Sequence, residues 1–450
     1  MAMRKTVCMR RFGGHRAGEE GARRFFGNQK VTAEKIVANW GERTGEACRG
    51  RHVLALQDTT EVSFSTTAER RRGLGQCGHG NSYGVLAHVM LAVDAGSGAC
   101  LGLVGGEIWN RDTKVTTPLR NRGLADRESR RWLDTAEQAK TVLAPAAMTT
   151  IIGDRESDMY PIWARIPAAG VHLLIRAQSD RRLAAPKGDP AGGDPAAGDS
   201  VAGGGTLFTA AAGFPLTGPY TLELPARPGR AARTAGIGIR FGPVVICRPV
   251  NEKDRTLAAT VRLSLVEVLE PSAPEGAEPI HWRLLTTHEV NTVEDAWRIV
   301  GWYRLRWIIE QLFRVAKSQG LGLESSQMAT AGGLMKLTAV AIKAACIDIQ
   351  LVQDRDGTYG LPASIAFSEP QIDTIEALSP TLEGKTDRQK NPHPCRSLAR
   401  ASWVMARLGG WNCYYRPPGP ITMRRGREQF YSIHRGRLLG SKRKKDVRLL

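Results

Sequence analysis

Gly84-Val-Leu-Ala-His-Val-Met-Leu-Ala-Val93 runs apolar almost without interruption to Asp94-Ala-Gly96, and Cys100-Leu-Gly-Leu-Val104 follows at once. Two apolar segments split by a polar, glycine-bearing turn read as adjacent antiparallel strands. Upstream, His52-Val-Leu-Ala-Leu-Gln57 is another short apolar run, stopping at Asp58-Thr-Thr60. Downstream, an amphipathic stretch from Ser129 to Leu143 leads to Thr149-Thr-Ile-Ile152, which stops at Gly153-Asp154-Arg155. A short helix and the strand Val171-His-Leu-Leu-Ile-Arg176 complete the run. Hairpin strands followed by strand–helix–strand alternation predict an α/β chain on one mixed sheet, with helices on both faces.

The flanking sequence divides the chain further. Residues 1–50 are basic and predict a helix from about Glu19 to Trp40, with Thr32-Ala-Glu-Lys as N-cap and first turn. Residues 51–180 hold the strands just read. Residues 181–279 behave as a β-rich insertion, with Tyr220–Leu224, Gly236–Arg240, Pro243–Ile246 and Val261–Leu269 strand-like and the Gly/Pro/Ala-rich Lys187–Asp199 a flexible loop. The α/β pattern resumes over 280–355, with Ile280–Thr286, one long helix from about Thr292 to Ser318, and a second from about Leu334 to Val352. Residues 356–450 read as a mostly helical C-terminal region ending in the cationic Ser441-Lys-Arg-Lys-Lys445.

Composition bounds the partners. Across 450 residues, 42% are hydrophobic and 24% charged, as in ordinary globular proteins. Lys and Arg outnumber Asp and Glu by 63 to 44, a net charge of +19. Such a surplus favours a polyanion, because each neutralised phosphate releases condensed counterions. Charge alone also fits a ribosome-associated or merely basic protein. No apolar run reaches membrane-spanning length, and Met1-Ala-Met-Arg-Lys-Thr-Val-Cys8 lacks the apolar core of a secretory signal, so the expectation is a cytoplasmic protein without a membrane partner. The eight cysteines contain no Cys-x-x-Cys pair, and Cys77-Gly-His79 is the nearest approach to metal-ligand spacing.

Asp58 and Asp154 each end a predicted buried strand, the edge at which ligands bind in open α/β sheets. Either one alone also fits a turn or helix cap. On the long helix, Tyr303, Arg306, Glu310 and Lys317 fall on one stripe, with Leu305, Ile308, Ile309, Leu312 and Ala316 opposite. That spacing also fits a solvated helix face. The residue types suit phosphodiester chemistry: two divalent ions, held by carboxylate oxygens about 3.5–4 Å apart, activate an attacking oxygen and stabilise a leaving one. Arg and Lys nearby hold phosphates.

Taken together, these motifs resemble a known family. Tyr303-x-x-Arg306-x-x-x-Glu310-x6-Lys317 resembles the Tyr-Arg-Glu-Lys signature of bacterial insertion-sequence DDE transposases, the Tn-five-like group. Leu56-Gln-Asp58-Thr-Thr60 looks like the family's first-aspartate motif, and Gly153-Asp154-Arg-Glu-Ser-Asp158-Met-Tyr160 like its second. The likeness extends from about Gly21-Ala-Arg-Arg-Phe-Phe26 to about Ala401–Gly410. It implies a ribonuclease-H-like core over 51–180 and 280–355, and a cut-and-paste mobile-element transposase passing through a DNA hairpin. It further implies two Mg2+ ions, replaceable by Mn2+, on Asp58, Asp154 and Glu310. Tyr303, Arg306 and Lys317 would position phosphates, Trp282 would hold a flipped base, and Arg176 would contact DNA. The partners implied are double-stranded DNA, as transposon ends and target, and a second copy in a synaptic dimer joined through the C-terminal region, including Ser397–Trp411. Such an enzyme would be nucleoid-associated.

The resemblance begins abruptly near Gly21, where the family has several tens more residues ahead of the first aspartate for reading terminal repeats. The expectation for 1–50 is therefore a remnant of the DNA-end-binding region. The rival reading is an N-terminally truncated, inactive or domesticated DNA-binding remnant, which needs none of the three acids. A paired-carboxylate hydrolase acting on sugars would have no use for Arg306, Lys317 or the +19 charge.

Overall fold

The computed structural model describes residues 16–64, 73–77, 82–111, 128–184, 205–224, 231–319, 321–326, 328 and 330–447. The predicted loop Lys187–Asp199 and His79 lie outside them. Among the described residues the strands are β1 (His52–Ser63), β2 (Gly84–Asp94), β3 (Cys100–Trp109), β4 (Met148–Gly153), β5 (Val171–Arg176), β6 (Thr217–Leu224), β7 (Arg233–Cys247), β8 (Thr260–Leu269) and β9 (His281–Thr286). The helices are α1 (Arg16–Gly27), α2 (Ala33–Ala38), α3 (Thr44–Ala47), α4 (Arg130–Val142), α5 (Tyr160–Arg165), α6 (Leu207–Gly213), α7 (Val293–Leu305), α8 (Trp307–Arg314), α9 (Ala331–Gln353), α10 (Glu369–Leu378), α11 (Leu398–Leu408) and α12 (Pro420–Val447). This is a mixed α/β fold with nine described strands flanked by helices and a helical C-terminal region, consistent with a ribonuclease-H-like core.

The chain divides into two compact units. The first comprises Met1–Asp126, Gln138–Ala147 and Trp307–Leu450; the second comprises Arg127–Glu137 and Met148–Arg306. In the first, β3-β2-β1 lie in that order, all antiparallel. β2 is the middle strand and is buried from Gly84 to Val93, which explains its continuous apolar sequence. Helix α9 packs across β2 and β3. The N-terminal helices are fastened to it by two lysines two turns apart. Lys336 Nζ donates to the Phe26 and Asn28 carbonyls at 2.9 and 2.8 Å, and Lys343 Nζ donates to the Trp40 carbonyl at 2.7 Å. The single helix expected from Glu19 to Trp40 is instead α1 and α2, separated by a turn at 28–32. Thr32 caps the second of these, accepting from Lys35 N at 3.3 Å. At the C-terminal end, α9 and α12 share a fully buried ion pair, Asp348–Arg427, at 2.9 Å.

In the second unit the order is β4-β5-β9-β8-β7-β6, with β4 and β5 parallel and the other pairs antiparallel. Gly236–Arg240 and Pro243–Ile246, read separately in the sequence, form the one long strand β7. The Gly242-Pro243 break is bridged because β8 pairs straight through it, Gly242 with Leu265 and Pro243 with Ser264. Gly242 is needed there: a Cβ would lie 2.4 Å from the Phe214 ring. Helix α7 opens with a reciprocal capping box between Thr292 and Asp295. It buries Ala296, Ile299, Val300 and Tyr303.

The predicted long helix from Thr292 to Ser318 is interrupted. α7 ends at Leu305, Arg306 forms a tighter turn with its N–H on the Tyr303 carbonyl at 3.1 Å, and α8 gives way to a π-helical turn over Val315–Gln319. A fixed 100° per residue therefore does not carry through Arg306 or as far as Lys317.

Candidate active site

β4 delivers Asp154. Its residues from Thr149 to Gly153 are buried, and the strand ends where Gly153 meets Ser157: a Cβ at Gly153 would lie 2.2 Å from Ser157 Oγ. The Ser157 hydroxyl donates to the Asp154 carbonyl at 2.7 Å, and Asp154 Oδ1 accepts from Glu156 N at 2.9 Å. The carboxylate is thus oriented by the turn it caps, at the half-exposed end of the strand. The second acid of the same motif, Asp158, does something else. It is buried and receives Arg181 at 2.6 Å, Trp163 Nε1 at 3.0 Å, and the Gln178 and Ser179 amides at 2.8 and 3.2 Å. Its acceptor positions are filled by protein, so it anchors the turn.

Around Asp154 the second unit gathers a basic and aromatic cluster. Tyr303 is buried, contrary to its expected place on an exposed stripe, because it faces the sheet as α7's last core residue. The Trp282 ring, on β9, meets it edge-on with centroids 5.7 Å apart, and the Arg306 guanidinium sits 5.9 Å from its ring centre. Its hydroxyl hydrogen-bonds with Arg176 and Arg306. Burial pushes the phenol's pKa up and the Asp154 carboxylate adds to this, while Arg306 and Arg176 pull it down. Burial also pushes the Arg176 guanidinium down, with Arg155 and Arg306 as like-charged neighbours. Arg176 Nη2 is held by the His281 carbonyl at 2.9 Å. Three guanidinium groups beside one carboxylate leave this end of the unit with an excess of positive charge, suited to a phosphate. Arg155 was missed from the sequence, although its place directly after Asp154 was the available signal.

The first unit holds Asp58, Glu310 and Lys317. Asp58 is not at a strand end, as expected, but within β1, which continues to Ser63 because β2 pairs with it as far as Ser63 with Gly84. Burial changes there: Val53–Gln57 are buried and Asp58–Glu61 half-exposed. Asp58 Oδ1 accepts from Thr59 N at 2.8 Å. Helix α8 packs against β1, burying Ile308, Ile309, Leu312 and Phe313 and leaving Glu310 half-buried. Lys317, in the π turn, has its ammonium pKa pushed down by burial and pushed up by Glu324 and Glu61. Glu324 is fixed to the end of β1 by Ser63 N at 3.3 Å. Lys317 thus has acidic company that the helix spacing did not reveal.

Asp154, Arg176, Trp282, Tyr303 and Arg306 therefore share one unit, and Asp58, Glu310 and Lys317 the other. The three acids are hard-oxygen donors of the type Mg2+ takes. Among the described residues, no three His, Cys, Asp or Glu side chains form a group able to hold a metal ion. The fit is thus one of donor chemistry.

The family model for the transposase DDE domain matches residues 49–336, and the chain belongs to that family. Membership carries DNA as partner, transposition chemistry and the general use of divalent metal ions. Among the described residues, no helix is long and apolar enough to cross a membrane.

Proposed function

We propose that the chain is a cut-and-paste transposase of the insertion-sequence, Tyr-Arg-Glu-Lys type, with Asp58, Asp154 and Glu310 as its three acids. The observation that carries this reading is the pair of guanidinium groups, Arg176 and Arg306, at the Tyr303 hydroxyl near Asp154, with Arg155 as a further cation beside Arg176. A merely structural turn acid has no need of such neighbours, whereas a carboxylate that holds a metal ion against a phosphodiester needs cations nearby to hold the phosphate that a water or hydroxyl oxygen attacks. In this reading Asp58, Asp154 and Glu310 hold two Mg2+ ions, with Mn2+ able to replace them. Bound there, such ions would supply activation of an attacking oxygen and stabilisation of the leaving one.

The protein's own residues then divide the work. Arg306 and Arg176 grip backbone oxygens through paired N–H donors, and Tyr303 fixes both guanidinium groups by its hydroxyl. Lys317 adds a point charge, with Glu61 and Glu324 orienting it until DNA arrives. Trp282, half-exposed and packed at an angle against Tyr303, stacks on a base flipped from a hairpin. Residues 51–180 and 280–355 form the catalytic core, 181–279 an insertion, and 356–450 the segment joining two copies in the synaptic complex. Such a protein works in the cytoplasm, on the nucleoid.

The test is Mg2+-dependent cleavage of the gene's flanking DNA by wild type and Glu310→Gln. Cutting by wild type alone, with DNA binding equal in both, supports the proposal. Binding without cutting by either protein would favour a DNA-binding protein that does not cut.

A further inference from the structure

The first unit carries a pair of thiols outside the chemistry described above. Cys100 opens β3, Cys346 lies in mid-α9, and both are almost fully buried. Each thiol acts electrostatically on the other, with the Gly102 and Leu103 backbone as further neighbours of Cys100 and Cys346. Strand and helix are joined next to these residues. Cys100 N donates to Gln353 Oε1 at 2.8 Å, and Gln350 Nε2 donates to the Leu101 carbonyl at 3.0 Å. A cavity of about 180 Å³ is lined by Cys346 and not by Cys100, together with Lys343, Arg43, Glu42, Asn39 and Gln350. Lys343 is fixed there by its bond to the Trp40 carbonyl at 2.7 Å. A water occupies about 30 Å³ of liquid, so the cavity admits a molecule the size of hydrogen peroxide.

We propose that Cys346 is an oxidation site for a small peroxide and that Cys100 resolves it as a Cys100–Cys346 disulfide. The Cys346 thiolate attacks one peroxide oxygen. The O–O bond breaks, sulfur is oxidised to a sulfenic acid, peroxide is reduced, and the departing hydroxide takes up the thiol's proton as water. Cys100 sulfur then attacks Cys346 sulfur, the S–S bond forms, the S–O bond breaks, and the Cys100 proton leaves with the hydroxide as a second water. The roles follow from the surroundings. Cys346 lines the cavity that a peroxide would enter, with Lys343 beside it, whereas Cys100 is not among the lining residues. The product staples β3 to α9.

The experiment uses the full chain, freed of reductant, exposed to stoichiometric hydrogen peroxide, alkylated, digested without reduction and mapped by mass spectrometry. The expected result is a Cys100–Cys346 cross-linked peptide that dithiothreitol releases. In Cys100→Ser, oxidation should stop at a Cys346 sulfenic acid that dimedone captures. In Cys346→Ser, neither product should form at Cys100. Exposed Cys395 provides an internal control for peroxide exposure. The proposal is overturned if wild type keeps Cys100 and Cys346 reduced while Cys395 is oxidised. A disulfide joining Cys346 to Cys48, the other thiol close to Cys100, would also overturn it. Because the wild-type map is decisive by itself, a serine variant that misfolds does not rescue the idea.

Discussion

At Gly153-Asp154-Arg155-Glu156-Ser157-Asp158, two aspartates four residues apart have opposite environments. Asp154 is half-exposed and caps a turn through one oxygen, an arrangement an amide reproduces. Asp154→Asn should therefore leave thermal stability within about 0.5 kcal/mol and remove DNA cutting. A comparable loss of both would assign Asp154 to the fold alone. Asp158 is buried against Arg181. Removing one partner of a buried pair strands the other charge, at about 3–5 kcal/mol. Asp158→Ala should thus strip amide protection from Tyr160–Arg165 and Val171–Arg176 in hydrogen exchange. Sequence spacing presents both as acids in one motif; only the burial of Arg181 and Trp163 around the second separates their roles.

At the scale of elements, the strands were legible because their apolar runs are long and bounded by turn residues. The capped starts at Thr32 and Thr292 were legible for the same local reason. The break at Arg306 was not, since Leu305-Arg306-Trp307 contains no helix-breaking residue. Nor was the fastening of α1 by α9, which depends on lysines that would read as surface charge. Lys336→Met removes the donor from two carbonyls. At about 1–3 kcal/mol for buried groups left unpaired, amides of Arg16–Gly27 should exchange roughly 5- to 150-fold faster, with β1 and β2 unchanged. The second unit has a pH-dependent element of its own. His172 and His288 stack with centroids 4.0 Å apart, His288 Nε2 meets the Thr150 hydroxyl at 2.7 Å, and burial holds His172 below its ordinary value of 6.5. The folded state therefore favours neutral His172, while the unfolded chain takes up a proton as pH falls through about 6.5. This contribution to stability is complete above that pH and declines below it, toward the lower folded value. Thermal unfolding at pH 7.5 and 5.5 should show a lower midpoint in acid, with a smaller difference in His172→Gln. An equal difference in the variant would place the effect elsewhere.

For the whole molecule, +19 of charge and the proposed triad of acids would make opposing demands on one polyanion. The acids repel the phosphates that the basic surface attracts, so affinity has to come from residues other than those that cut. That separation is measurable through salt. Binding to duplex DNA weakens linearly on a log–log plot, with a slope of about −0.9 for each phosphate neutralised. Arg306→Ala should make the slope shallower by about one unit, and by a similar amount on unrelated duplexes, because a guanidinium on the backbone reads no sequence. Glu310→Gln should leave the slope unchanged or bind slightly tighter, since it removes a negative charge near the DNA, yet cut nothing. If Arg306→Ala kept the wild-type slope, its guanidinium would serve only to brace Tyr303. If Glu310→Gln lost binding along with cutting, the carboxylate would be organising the fold of α8 on β1 rather than the chemistry.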